Sequence, residues 1–257
     1  VKTTMENNFC LTAEQLEAAI TPNTKLLMLC SPNNPTGSVY TLENLKALVE
    51  VLKKHPQVVV LADEIYQHIL YTGKHETLAQ FPELEDRLII INGVSKAYAM
   101  TGYRIGWLAT HDKELLTAVK RLQGQTISCA TTIAQKAAEA AYAGPQECVE
   151  EMRQAFERRR NLILELAKDI PGLKVLEPQG AFYLFPDVTA FFGKQYNGQV
   201  IHNADDVVTF ILQEAHVALV SGSAFGEDNC IRISYATSEE LIIEAMRRTK
   251  EALAKLQ

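Results

Sequence analysis

Val58-Val59-Val60-Leu61-Ala62-Asp63 is an apolar run closed by an acid, and its reading decides the fold. A short run rich in β-branched residues, with no polar alternation, suits a strand covered on both faces, as in a parallel sheet flanked by helices. Two similar runs bracket it: Leu26-Leu27-Met28-Leu29-Cys30 before and Leu88-Ile89-Ile90-Ile91 after. Between the first two, Leu42 to Lys54 carries apolar residues at helical spacing, with Thr41 as the cap. Asn34, Asp63 and Lys96 follow the three strands at intervals of about thirty residues, one βαβ unit each. The pattern predicts an α/β domain with a mostly parallel sheet.

Beyond it, helices are predicted over Lys113 to Gln125 and Thr132 to Tyr142. After the Gly144-Pro145 break, a long helical pattern runs from Gln146 to Asp169. Its Arg158-Arg159-Arg160 triplet reads as a solvated helix face. Pro171-Gly172 ends that helix, and the texture changes. Ala181 to Phe185, Val217 to Val220 and Ile231 to Tyr235 read as strands, Ala204 to Ala215 and Glu239 to Leu256 as helices. The division expected is residues 1–143 as part of a large domain, 144–170 as a linker helix, and 171–257 as a small C-terminal α+β domain.

Composition narrows the function. Hydrophobic residues at 47% and charged residues at 22% describe an ordinary globular protein. A net charge of −6 gives no reason to expect nucleic acid or an anionic membrane as partner. No apolar run reaches the length of a membrane span. The cysteines (Cys10, Cys30, Cys129, Cys148, Cys230) are scattered and odd in number, which argues against a disulfide framework or a metal site and for a reducing cytoplasm. The chain has no charged-then-apolar leader pattern and opens Val-Lys-Thr-Thr without an initiator methionine. It is therefore expected to be part of a longer protein.

Chemistry gathers at strand ends, where open α/β sheets bind ligands. Lys96, in Gly93-Val94-Ser95-Lys96, offers an amine that makes a Schiff base with an aldehyde, and Arg104 a fork that holds phosphate. Pyridoxal 5′-phosphate carries both groups, although each residue also reads as plain surface charge. Asp63 suits a partner for a protonated pyridine nitrogen, or a helix cap. Tyr66 suits a hydrogen bond to a phenolate oxygen, or a place in the core. Asn34, in the turn Ser31-Pro32-Asn33-Asn34-Pro35-Thr36-Gly37, offers an amide donor. Arg232 interrupts the apolar run Ile231 to Tyr235 and must find an anion, either a ligand carboxylate or a structural partner.

Five stretches carry a resemblance: Asn33-Asn34-Pro35-Thr36-Gly37, Ala62-Asp63-Glu64-Ile65-Tyr66, Ser95-Lys96-Ala97-Tyr98-Ala99-Met100-Thr101-Gly102-Tyr103-Arg104, Gly180-Ala181-Phe182-Tyr183, and Arg232-Ile233-Ser234-Tyr235-Ala236-Thr237. In this order they resemble the class I/II aminotransferases, fold-type I enzymes dependent on pyridoxal 5′-phosphate (PLP) and related to aspartate aminotransferase. The resemblance implies that Lys96 binds the cofactor and moves the substrate proton. It pairs Asp63 with the pyridinium, Tyr66 and Asn34 with the ring hydroxyl, Arg104 and Ser95 with the phosphate, and Arg232 with the substrate α-carboxylate. Some relatives carry a serine where Gly93 stands, which puts one phosphate contact in doubt. The family's N-terminal arm, phosphate loop and ring-stacking aromatic are not recognisable. The chain thus looks like the C-terminal part of such an enzyme, a homodimer in its full-length form, and inactive in isolation.

The reaction implied moves an amino group between an amino acid, aspartate-like or aromatic, and a 2-oxo acid. A PLP-dependent carbon–sulfur lyase of the same fold is the alternative enzyme. An aminotransferase-like sensor domain of a transcription regulator is the alternative of another class.

Overall fold

The computed structural model describes residues 1–257 and resolves into two compact units. The first comprises Val1, residues 10–32 and residues 39–153; the second comprises residues 2–9, 33–38 and 154–257. No helix is long and apolar enough to cross a membrane.

In the first unit, α1 (Ala13–Ala19) begins at a capping box in which Thr12 and Gln15 satisfy each other's backbone N–H. Next come β1 (Leu26–Cys30) and α2 (Leu42–Leu52), the latter opened by the same device from Thr41 and Asn44. Leu45, Leu48, Val49 and Leu52 of α2 bury against Leu16 of α1 and against Val58, Val60 and Ala62. At the far end of α2, Arg87 donates to the Leu52, His55 and Val58 carbonyls at 2.7, 2.7 and 3.0 Å. The Leu52 and His55 oxygens also accept the His55 and Val58 N–H groups, so a side chain distant in sequence adds a second donor at the helix end.

β2 (Val59–Asp63), β3 (Leu88–Gly93) and β4 (Gly106–Thr110) complete a sheet of order β1-β2-β3-β4. The first two pairings are parallel and the last is antiparallel. The register sets Cys30 beside Asp63 and Asp63 beside Ile91, so the carboxyl ends of β1 to β3 lie together. The expectation that all three apolar runs are covered on both faces needs correcting for β1. Leu29 joins the core, while Leu26 and Met28, on the opposite pleat, are 45% and 68% exposed. Helices α3 (Lys113–Thr126) and α4 (Thr132–Ala143) follow. α3 buries no residue. The long helix α5 (Glu147–Lys168) carries the unit boundary between Arg153 and Gln154.

The second unit is small and antiparallel. β5 (Tyr183–Leu184) is followed by a hairpin of β6 (Gln195–Tyr196) and β7 (Gln199–Val200). Asn197 and Gly198 turn that hairpin, both at positive φ as a two-residue loop requires. Then come α6 (Ala204–Ala215), β8 (Val220–Ser221), β9 (Ile231–Ser234) and α7 (Glu239–Leu253). The sheet order is β5-β9-β8, and α6 packs on α7. The strand expected over Ala181 to Phe185 shrinks to two residues because Ala181 takes a left-handed conformation, φ 57°. The Arg158-Arg159-Arg160 triplet is not a solvated face: Arg158 is exposed, whereas Arg160 is buried and paired.

Candidate active site

In the first unit, β2 delivers Asp63 to the strand end. There its Oδ1 accepts the Ile65 N–H at 3.1 Å, turning the chain so that Tyr66 packs inward, only 4% exposed. Burial lifts the Asp63 carboxyl above its usual range. The Ile65 N–H pulls it back, Glu64 adds to the rise, and the Lys96 charge opposes it. Behind Asp63, the buried Glu64 accepts from Thr77 Oγ1 and lies 3.3 Å from His75 Nε2.

Lys96 sits in the turn after β3, where Tyr98 and Ala99 N–H groups close onto the Val94 and Lys96 carbonyls. Its Nζ lies 5.7 Å from the centre of the Tyr66 ring, within range of a cation–π contact. Thr101 ties the next stretch down. Its Oγ1 donates to the Ser95 carbonyl at 3.0 Å, and its own carbonyl accepts from Arg104 Nη1 at 2.9 Å. Arg104 itself is exposed and holds a left-handed backbone, φ 54°. Gly93 pairs with Gly106 across β3 and β4. A Cβ at 93 would stand 2.9 Å from Gly106 Cα and 3.0 Å from the Ile105 oxygen, closer than backbone atoms permit.

In the second unit, Arg232 on β9 donates from Nη1 to Asn34 Oδ1 at 2.9 Å. Its guanidinium carbon lies 4.8 Å from the Tyr183 ring centre and 5.0 Å from that of Phe225. Its Nε is buried without a hydrogen-bond partner. A planar cation held between two rings, with one edge given to an amide, keeps its other edge for an anion. The bond also sets the Asn34 amide, oxygen toward Arg232, so its NH₂ is left to donate elsewhere.

Of the residues singled out from sequence, the first unit thus brings together Asp63, Tyr66 and Lys96, with Ser95 and Arg104 linked through Thr101. The second joins Asn34 to Arg232. Sequence reasoning missed the rings beside Arg232 and the tie at Thr101. Tyr183 lay in a quoted motif without a role, and nothing local marks Phe225, which reaches Arg232 only through the fold.

The first unit thus carries an acid, a tyrosine and a lysine at its strand ends, and the second an arginine on a small antiparallel sheet. The family model for aminotransferases of class I and II matches residues 1–248, and the chain belongs to that family. It is 47% identical to an aspartate aminotransferase of Geobacillus stearothermophilus over 97% of this chain and 63% of that one. It is 42% identical to the bifunctional aspartate aminotransferase and glutamate/aspartate-prephenate aminotransferase of Petunia hybrida, over 99% of this chain and 54% of that one. The crystal structure of the Rhizobium meliloti aspartate aminotransferase superposes with a TM-score of 0.95 at 43% identity, covering all of this chain and 65% of that one. An aromatic aminotransferase from Pyrococcus horikoshii gives 0.89 at 35% identity, covering 98% and 65%. The chain therefore spans between about half and two thirds of the length of these relatives.

Proposed function

We propose that this chain is the lysine-bearing part of a PLP-dependent aminotransferase, which moves an amino group between an aspartate-like or aromatic amino acid and a 2-oxo acid. The full-length protein works as a homodimer in the cytoplasm, where the free cysteines stay reduced. In isolation the chain turns over poorly. The observation that carries this reading is Lys96 held in a turn beside Tyr66, in the same unit as a strand-end Asp63 whose carboxyl is raised by burial. A raised acid is one that lacks a full counter-charge, and a facing pyridinium supplies it.

The residues fit the cofactor in other respects. In the first unit Arg104 and Ser95 offer donors to a phosphate and Tyr66 Oη to a ring hydroxyl; in the second the Asn34 NH₂ is a donor as well. The buried Nε of Arg232 lacks an acceptor that a carboxylate provides. When bound, PLP supplies an aldehyde that captures amines and a protonated ring that takes up the electron pair left at the substrate α-carbon. Asp63 would face the ring nitrogen and favour its protonated form, and Lys96 Nζ would hold the cofactor and move the proton at the substrate α-carbon. Arg232 orients the substrate through its carboxylate and lets the side chain vary.

Borohydride reduction of the PLP-treated full-length enzyme tests this. The pyridoxyl group is expected on Lys96, and Lys96→Ala is expected to lose both label and transamination. Labelling of another lysine would end the assignment.

A further inference from the structure

The helix that carries the arginine triplet also supports the Asn34–Arg232 pair. Arg160 is 7% exposed. Its Nε and Nη2 donate to Asn161 Oδ1 at 3.0 and 2.8 Å, and its Nη1 donates to the Pro178 carbonyl at 3.2 Å and faces Glu177 Oε1 at 3.2 Å. Burying a guanidinium costs stability unless its donors are used, so these groups hold a defined geometry. What they hold is one backbone carbonyl at the start of the Pro178–Gly180 segment.

That segment is the seat of the Asn34 turn. The N–H groups of Gln179 and Gly180 both donate to the Gly37 carbonyl, at 2.9 and 3.0 Å. Gly37, at φ +70°, leaves no room for a side chain, since its Cβ would stand 2.4 Å from Pro178 Cβ. From Gly37 the turn closes back through its own N–H onto the Asn33 carbonyl at 2.9 Å, with Thr36 Oγ1 on Asn33 Oδ1. Asn34 lies inside this closure and is the residue that Arg232 grips. On its other side, Phe156 of the same helix stacks on Phe182 at 5.0 Å, and Phe182 packs on Tyr183, the floor under Arg232.

We propose that Arg160 is a positioning residue for the carboxylate clamp. Through Pro178 and Gly37 it fixes where Asn34 stands, and so which edge of the Arg232 guanidinium is left to bind. Helix α5 then sets the amide partner through Arg160 and the aromatic floor through Phe156. The inference rests on the reading of Arg232 as the carboxylate site, and the experiment separates the two.

The test is ¹⁵N–¹H spectroscopy of arginine Nε–H groups in the protein, the Arg232 signal being identified by its loss in Arg232→Lys, with succinate as the probe. In the parent protein succinate is expected to shift this signal. In Arg160→Met, folded by circular dichroism, the signal is expected to move toward that of a solvent-exposed arginine before any probe is added, and succinate affinity to fall at least about tenfold. Gly37→Ala strains the same joint from the turn, away from the helix, and is expected to displace the signal as well. A folded Arg160→Met with an unchanged Arg232 signal overturns the proposal. Should Arg160→Met fail to fold, an unchanged signal in Gly37→Ala overturns it equally. A parent signal that succinate never moves sinks the carboxylate reading itself, a failure distinct from one in which succinate binds and the variants change nothing.

Discussion

Asp63 carries a carboxyl raised by burial, and Arg232 a buried Nε that has no acceptor. Burial raises the Asp63 carboxyl, so the folded chain binds that proton more tightly than the unfolded one. Stability then falls as pH rises from about 3.9, the ordinary carboxyl value, through the higher folded value. Asp63→Asn removes the ionisable group and keeps the shape. In urea titrations without cofactor, the variant is expected to be at least as stable as the parent at pH 7, with a flatter pH dependence across that window. Transamination by the full-length enzyme is expected to drop by orders of magnitude. A variant clearly less stable at neutral pH would mean that the Asp63 charge, opposite that of Lys96, stabilises the fold. Arg232→Lys replaces a two-donor edge with a point charge. Losing one charge-assisted hydrogen bond, about 1.5–3 kcal/mol, predicts a rise of about 10- to 150-fold in the apparent KM for every amino acid. Discrimination between side chains should hold steady; a loss confined to acidic substrates would move Arg232 to the side-chain pocket.

Among the elements, α2 depends on a residue far from it in sequence. Arg87 spends two nitrogens on three carbonyls at and beyond the helix end, and its partial burial lowers its pKa. Arg87→Ala is expected to cost about 2–3 kcal/mol, read as a lower urea midpoint with an unchanged slope. A change within about 0.5 kcal/mol, typical of surface sites, would show that water replaces the guanidinium. The strand ending at Asp63 and the helix Ala204–Ala215 were legible in the sequence because each rests on its own periodicity and caps. Arg87 and the buried Arg160 were not: the first stands before a strand with no signal of its own, and the second in a helical pattern that reads as solvated until the carbonyl it meets is known. For the same reason Lys96, Asp63 and Tyr66 could be picked out from their strand ends, whereas the rings around Arg232 could not.

For the molecule as a whole, the central sheet has one well-filled face and one that this chain leaves partly bare. Leu26 and Met28, on the same pleat of β1, are each more than two-fifths exposed. Parallel strands are normally covered on both sides, and groups at the ends of a half-covered sheet are poorly braced. Productive geometry tolerates errors of only about 0.5 Å. The 257-residue chain, assayed with PLP, 2-oxoglutarate and a panel of amino acids, is therefore expected to fall well below the usual enzyme range of roughly 1–10³ per second. Turnover within that range would mean that the exposed face has no bearing on the site.

The facing glycines of β3 and β4 bear on how this lineage can change. With Gly93 and Gly106 backbone to backbone, a serine at position 93 requires the backbone to shift, since its Cβ would stand 2.9 Å from Gly106 Cα and 3.0 Å from the Ile105 oxygen. The strands must first part, and each step in that direction loosens the turn that presents Lys96. Directed evolution toward tighter cofactor binding is therefore expected to find its gains away from position 93.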